Sequence, residues 1–122
     1  MDKCVSWQRS ALFSLLLMCS GGAFAHAMPA QNTPAAGAVL AQAPATVVIR
    51  FDSELEPLFS RLIVKDDAGK QVSKGNGKVD PANPTLLTAE LGKQQRGVYH
   101  VYWSVVARDG HRTQGDYRFT VK

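Results

Sequence analysis

Residues 96–121 constrain the fold more than any other part of this 122-residue chain. Residues 98–107 are rich in β-branched and aromatic side chains, and in residues 116–121 aromatic or aliphatic side chains alternate with polar ones. Both patterns predict β-strands, and the Asp-Gly-His sequence at 109–111 begins with a common hairpin turn. The stretch therefore predicts a long β-hairpin with a carboxylate and an imidazole at its turn.

Shorter patterns of the same kind occur through the rest of the chain. Strands are predicted at residues 44–51, 58–65, 71–73 and 85–91, with turn residues between them, after an extended lead-in at 26–42. Trp103, in the middle of its strand, is predicted to be a core residue. No segment sustains a 3.6-residue apolar period, which favours an all-β protein. We expect an immunoglobulin-like Greek-key β-sandwich or barrel of about seven strands.

The first 25 residues are typical of a cleaved secretory signal peptide. Lys3 and Arg9 give a positively charged start, residues 11–18 form an apolar run too short to span a bilayer comfortably, and residues 23–25 are Ala-Phe-Ala. A small-x-small sequence of this kind is a cleavage site. Cleavage after residue 25 would leave His26 as the first residue of a periplasmic domain at 26–122.

The alternative is a lipoprotein cut before Cys19, but Met18 is bulky at a position where a lipoprotein signal favours a small residue. After cleavage at residue 25 both cysteines, Cys4 and Cys19, are removed, so the mature chain has no thiolate ligand. It keeps 12 of the 14 basic and 9 of the 10 acidic residues, a net charge of +3. These charges are spread in ones and twos, without the basic stripe typical of nucleic-acid binding.

Three residues of the predicted mature chain suit a copper(II) ion. Copper(II) prefers nitrogen and oxygen donors in a square-planar or tetragonal arrangement. A free N-terminal His26 offers its α-amine and its ring Nδ1 to the same ion, and an amine with a reference pKa of about 8 gives up its proton readily near neutral pH. His111 would add a third nitrogen and Asp109 an oxygen. The sequence thus predicts one copper(II) ion bound by His26, Asp109 and His111.

Simpler interpretations of the same residues stay open. Asp109 and Gly110 can form only a turn, and His111 can be only a surface histidine. His100 is interpreted as a strand residue with a satisfied ring N–H rather than as a ligand. Met28 is a single thioether, whereas a copper(I) site needs several soft donors. No serine-hydrolase elbow, HExxH sequence or phosphate loop occurs, so the sequence does not predict an enzyme.

Residues 26–122 resemble the periplasmic copper-resistance protein family CopC and its YobA-like relatives. The resemblance rests on these features: the His after the cleavage site, the Pro-Ala-Ala-Gly turn at 34–37, the strand at 48–51 before an acidic loop, and residues 97–111 followed by Gly115 and by Phe-Thr-Val at 119–121. The stretch 97–111 is similar to the family signature Gly-x-Tyr-x-Val-x-Trp-x-Val-Val-Ser-x-Asp-x-His. Ala107 stands where Ser is usual.

The resemblance implies a Greek-key sandwich or barrel that binds copper in the periplasm, with its copper(II) ligands on His26 (amine and ring), Asp109 and His111. It also implies a partner, an inner-membrane copper transporter of the CopD type. Some family members hold copper(I) in a methionine-rich loop, but the corresponding residues 51–59 contain no Met. This difference argues for copper(II) only. Acidic residues of that loop are candidates to accept a hydrogen bond from a ligating histidine: Asp52, Glu54 and Glu56.

Two other functions fit parts of the pattern. A terminal His beside a second His also resembles the copper centre of the lytic polysaccharide monooxygenases, which are oxidative enzymes. Those enzymes need open coordination positions and a flat aromatic surface, whereas Asp109 would fill a position and 97 residues leave little room. The other function is that of a metal-free module that binds a protein. The leading prediction is a copper(II)-binding protein that sequesters or delivers the ion and does not itself span the membrane after cleavage.

Overall fold

The computed structural model describes residues 26–122, which form two four-stranded β-sheets. The strands are β1 (Pro29–Thr33), β2 (Val39–Leu40), β3 (Thr46–Phe51), β4 (Arg61–Asp66), β5 (Lys78–Val79), β6 (Leu86–Glu90), β7 (Gly97–Val106) and β8 (Arg112–Val121). A single 3-10 turn, Pro57–Phe59, precedes β4 within these residues. The predicted signal peptide at 1–25 lies outside the described residues. Across 26–122 there is no helix of the length and hydropathy needed to cross a membrane.

The strand order is β1-β3-β6-β5 in the first sheet and β2-β8-β7-β4 in the second. All pairs are antiparallel except β2 with β8. The chain passes from one sheet to the other at every connection except those between β5 and β6 and between β7 and β8. The predicted all-β sandwich is confirmed, with eight strands where about seven were expected.

The core lies between the sheets because alternate residues of each long strand point inwards. Trp103, on β7, is only 8% exposed. Its ring meets that of Phe51 edge to face, with the ring centroids 5.4 Å apart. It also covers Gly115 of β8, where an added Cβ would lie 2.6 Å from Trp103 Cζ2. The prediction that Trp103 is a core residue is confirmed.

Several predicted element boundaries are wrong, and backbone pairing explains why. The lead-in at 26–42 contains β1 and β2, which pair with β3 and β8 although their composition is poor in strand formers. Residues 71–73 make only isolated bridges, whereas β5 forms at Lys78–Val79, where no strand was predicted. The predicted strand at 58–65 begins only at Arg61, because Pro57 opens a 3-10 turn. The last strand begins at Arg112 rather than at residue 116, extended by its pairing with β7.

Candidate metal centre

The turn between β7 and β8 brings Asp109 and His111 together. The Ala107 carbonyl accepts a hydrogen bond from Gly110 N–H at 2.9 Å, and Gly110 takes a φ of +88°, which a residue without Cβ adopts easily. Asp109 Oδ1 accepts the His111 backbone N–H at 3.0 Å, while the other carboxylate oxygen lies 3.1 Å from His111 Nδ1. The Asp-Gly-His sequence therefore folds into a turn with both functional side chains on one side.

His26 is placed beside this turn by the residues that follow it. Ala27 is fully buried, and its carbonyl accepts a hydrogen bond from the Thr113 hydroxyl at 2.6 Å. Met28 N–H donates to Asp52 Oδ1 at 2.9 Å, and Asp52 N–H donates back to the Met28 carbonyl at 3.0 Å. The His26 ring lies with its centroid 5.2 Å from that of His111, at an interplanar angle of 77°.

The turn also sets the charge state of Asp109. The hydrogen bond from the His111 backbone N–H lowers the pKa of Asp109 most, followed by the hydrogen bond with the His111 side chain. Desolvation opposes these two hydrogen bonds, and the charges of His111 and His26 lower the pKa by smaller amounts. Asp109 is therefore a carboxylate throughout the neutral pH range, as a metal ligand must be.

The structure brings the three predicted ligands to one end of the sandwich but does not hold them in a coordination geometry. Within residues 26–122, no group of three or more His, Cys, Asp or Glu side chains is arranged to hold a metal ion. Asp109 and His111 are instead hydrogen-bonded to each other. In the full sequence the His26 nitrogen also belongs to a peptide bond with Ala25, so the amine donor exists only in a chain that begins at His26.

The acidic loop between β3 and β4 is fastened to the same turn. Glu54 Oε2 lies 3.1 Å from Arg108 Nε, and the Glu54 carbonyl accepts the Arg108 backbone N–H at 3.2 Å. Sequence reasoning did not identify Arg108 or the Thr113 hydroxyl as positioning groups. The acidic loop indicated that a basic residue such as Arg108 could pair with it, whereas nothing in the sequence pointed to Thr113. That a loop carboxylate accepts a hydrogen bond from a ligating histidine stays a prediction. In the structure Asp52 accepts from Met28 N–H, and Glu54 pairs with Arg108.

His100 lies in β7, far from the turn, as its strand assignment predicted. Its Nε2 is 3.1 Å from Asp67 Oδ1, and its ring stacks beside that of Tyr102 at a centroid distance of 6.4 Å. The predicted partner for the ring nitrogen is confirmed, because the Asp67 carboxylate lies within hydrogen-bond distance of it.

The sequence profile of the CopC domain matches residues 30–122. The chain belongs to the CopC family. Among curated relatives, protein YobA of Escherichia coli is 29% identical over 96% of this chain and 98% of its own length. Copper transport protein CutJ of Bacillus subtilis is 29% identical over 90% of this chain, which spans only about a fifth (20%) of CutJ.

Solved structures agree with the family assignment. CopC from Methylosinus trichosporium OB3b is 32% identical, with a TM-score of 0.71 over 80% of this chain and 94% of its own. PcoC from Escherichia coli, described as a methionine-rich copper resistance protein, is 26% identical, with a TM-score of 0.69 over 80% of this chain and all (100%) of its own. The expected resemblance to CopC and YobA is confirmed, and it supports a copper-binding function in copper resistance.

Proposed function

We propose that the chain, once it begins at His26, is a periplasmic protein that binds one copper(II) ion and sequesters or delivers it. The observation that carries this proposal is the approach of two imidazole rings that lie near opposite ends of the sequence of residues 26–122. His26 and His111 lie with their centroids 5.2 Å apart, beside a carboxylate from Asp109. CutJ is named a copper transport protein and PcoC a copper resistance protein, in accord with this role.

The donor set matches the coordination preferences of copper(II). The His26 amine and its ring Nδ1 close a chelate, the His111 imidazole supplies a third nitrogen and Asp109 an oxygen, which makes a tetragonal set without a soft ligand. Copper binding requires the contact between His111 Nδ1 and the Asp109 carboxylate to break, so that both groups can bind the ion. The side chains are 45% and 34% exposed, so both can turn toward the ion and it can enter and leave from solvent.

The described chain argues against a copper(I) site of thioethers. Met28 is the single methionine of residues 26–122, and it is 49% exposed. One thioether is too few for a copper(I) site. PcoC, by contrast, is described as methionine-rich. We therefore assign the chain to copper(II) alone, without a relay between two oxidation states.

Delivery requires an acceptor, and we propose an inner-membrane copper transporter of the CopD type. The region that matches this chain makes up 20% of CutJ, a copper transport protein. In CutJ, therefore, a CopC-like region and a larger remainder share one polypeptide. We propose that this protein does as a separate chain what such a region would do within one polypeptide, and passes its ion to a membrane partner.

We propose no enzymatic role. A copper oxidase of the lytic polysaccharide monooxygenase kind needs coordination positions open to oxygen, and a carboxylate next to His111 would take one of them. Peroxide production by the reduced copper protein, together with oxidised oligosaccharide products, would contradict this assignment. Equal copper retention before and after His26→Ala would instead favour a metal-free interaction module.

The decisive experiment compares two preparations, one beginning at His26 and one with a single additional residue before it. Each is titrated with copper(II) and followed by electron paramagnetic resonance, with circular dichroism as the control for folding. We expect a one-to-one tetragonal signal with about three nitrogens only when His26 has a free amine. Equal, weak binding by both preparations would refute the site.

A further inference from the structure

The solvent-facing side of the sheet β2-β8-β7-β4 has an unusual composition. In β4, β7 and β8 the residues opposite each other form three outward rows: Arg61–Ser104–Gln114, Ile63–Tyr102–Asp116 and Lys65–His100–Arg118. Arg112 extends this face beside Ser104, to which its guanidinium donates at 2.7 Å. A shallow depression of about 380 Å³ lies in the middle, next to Tyr102, which is 43% exposed. We call these rows, with Arg112, the outer face of β7.

The charge of this face differs from that of the opposite sheet. The outer face of β7 carries four basic strand residues against one acidic residue: Arg61, Lys65, Arg112 and Arg118 against Asp116. Asp67 borders it through its contact with His100. On the other sheet, the outward strand residues include two basic and one acidic side chain: Arg50, Lys78 and Glu90. Among outward strand residues, the excess of positive charge is therefore larger on this sheet than on the other.

An apolar projection stands at the edge of the same face. Leu58 is 89% exposed and Phe59 is 56% exposed, both on the 3-10 turn before β4. The Phe59 carbonyl accepts a long hydrogen bond from Arg112 Nη1 at 3.5 Å, and Glu56 N–H donates to the Val106 carbonyl at 2.8 Å. These contacts fix the turn at the end of β7 next to the candidate metal centre.

We propose that the outer face of β7 and the Leu58–Phe59 turn form a docking surface for an anionic phospholipid bilayer. Basic side chains near such a surface are attracted by its negative potential. Exposed leucine and phenylalanine enter the boundary between headgroups and acyl chains, where tyrosine is also favoured. The surface does not use the copper ligands, so this inference stands apart from the proposed copper site.

A bilayer fits these observations better than an acidic protein does. Leu58 is 89% exposed, so a protein partner would need a pocket shaped to enclose it. A bilayer accepts a protruding apolar side chain without such a pocket. The basic residues spread over three strands rather than around one pocket, as a flat charged surface requires. Docking in this orientation would hold the metal centre near the bilayer, within reach of a membrane-embedded acceptor.

The test measures sedimentation of the copper-free protein beginning at His26 with two kinds of vesicle. One contains equal parts phosphatidylglycerol and phosphatidylcholine, and the other contains phosphatidylcholine alone. We expect binding to the first that weakens with salt, and much less binding to the second. The double change Arg61→Gln and Arg118→Gln should lower partitioning about tenfold or more. Its matched control, Arg50→Gln with Lys78→Gln, removes equal charge from the other sheet and should have a much smaller effect.

The apolar turn is tested separately. Leu58→Ser should lower partitioning by about tenfold with an unchanged circular dichroism spectrum, whereas Leu58→Phe should retain binding. Equal effects of the two charge pairs would overturn the proposal, because net charge alone would then explain binding. Binding to polyglutamate without binding to anionic vesicles would also overturn it and indicate an acidic protein partner.

Discussion

Two histidine–aspartate pairs in this molecule have the same separation and different surroundings. His111 Nδ1 lies 3.1 Å from Asp109, and His100 Nε2 lies 3.1 Å from Asp67. The first pair is two residues apart in a turn, whereas the second joins residues 33 apart across two elements. The first pair has the His26 ring beside it, and the second has the Tyr102 ring.

A His–Asp contact therefore does not by itself define a metal site. Copper(II) needs several nitrogen and oxygen donors around one point, and the pair at the turn gains two from His26 once the amine is free. Beside His100, the neighbouring Tyr102 and the cation of Lys65, which is 5.6 Å from the Tyr102 ring, offer no comparable donors. We therefore expect copper at the first pair and a structural contact at the second.

The largest expected difference is between His111→Ala and His100→Ala. Loss of the His111 imidazole should weaken copper(II) binding at least about a hundredfold, because a nitrogen ligand is removed from the ion. Loss of the His100 ring should change the copper affinity less than about twofold. Competition titration with a copper chelator measures both, with thermal unfolding as the control. Equal losses in the two variants would refute the distinction between the pairs.

A smaller difference is expected between the two carboxylates. Asp109→Asn should lower copper(II) affinity about tenfold or more, because the amide keeps the shape of the side chain but loses the charge that binds the ion. Asp67→Asn should leave copper binding unchanged. The same chelator competition provides the measurement. A larger effect at Asp67 than at Asp109 would contradict the assignment.

The Thr113 hydroxyl, which holds the N-terminal segment, should have a smaller effect on copper affinity than either pair. Thr113 donates to the Ala27 carbonyl at 2.6 Å, next to His26, whose amine and ring are proposed to chelate the ion. Thr113→Val keeps the shape and removes the hydrogen bond, so the His26 donors should become less well placed and the copper affinity should fall a few-fold. Thr113→Ser is the matched control and should keep nearly full affinity. An unchanged affinity in the valine variant would show that Ala27 burial alone positions His26.

The sequence predicted the parts of this molecule that depend on local pattern. The long hairpin, the buried Trp103 and the identity of the turn residues follow from alternation and from Asp-Gly chemistry. It did not predict β1 and β2, because their strand character comes from pairing with β3 and β8 rather than from their own residues. The anchor from Thr113 to Ala27 joins residues 86 apart, and no local pattern encodes such a contact.

The smallest expected effect concerns protonation at the turn. The pKa of Asp109 lies below its ordinary 3.8, so its hydrogen bonds contribute stability that is fully present above pH 3.8 and is lost as the pH falls through the lowered pKa. Carboxyl chemical shifts of the copper-free protein should show a midpoint below 3.8. His111→Ala should raise this midpoint only in part, since alanine at 111 still donates its backbone N–H.

A complete return to 3.8 in the alanine variant would contradict the ranking of causes, in which the backbone hydrogen bond comes first. If the ranking holds, the turn itself keeps Asp109 ionised and the histidine adds less. Asp109 would then keep the charge that it offers to copper(II) down to a pH below 3.8, even in the His111→Ala variant.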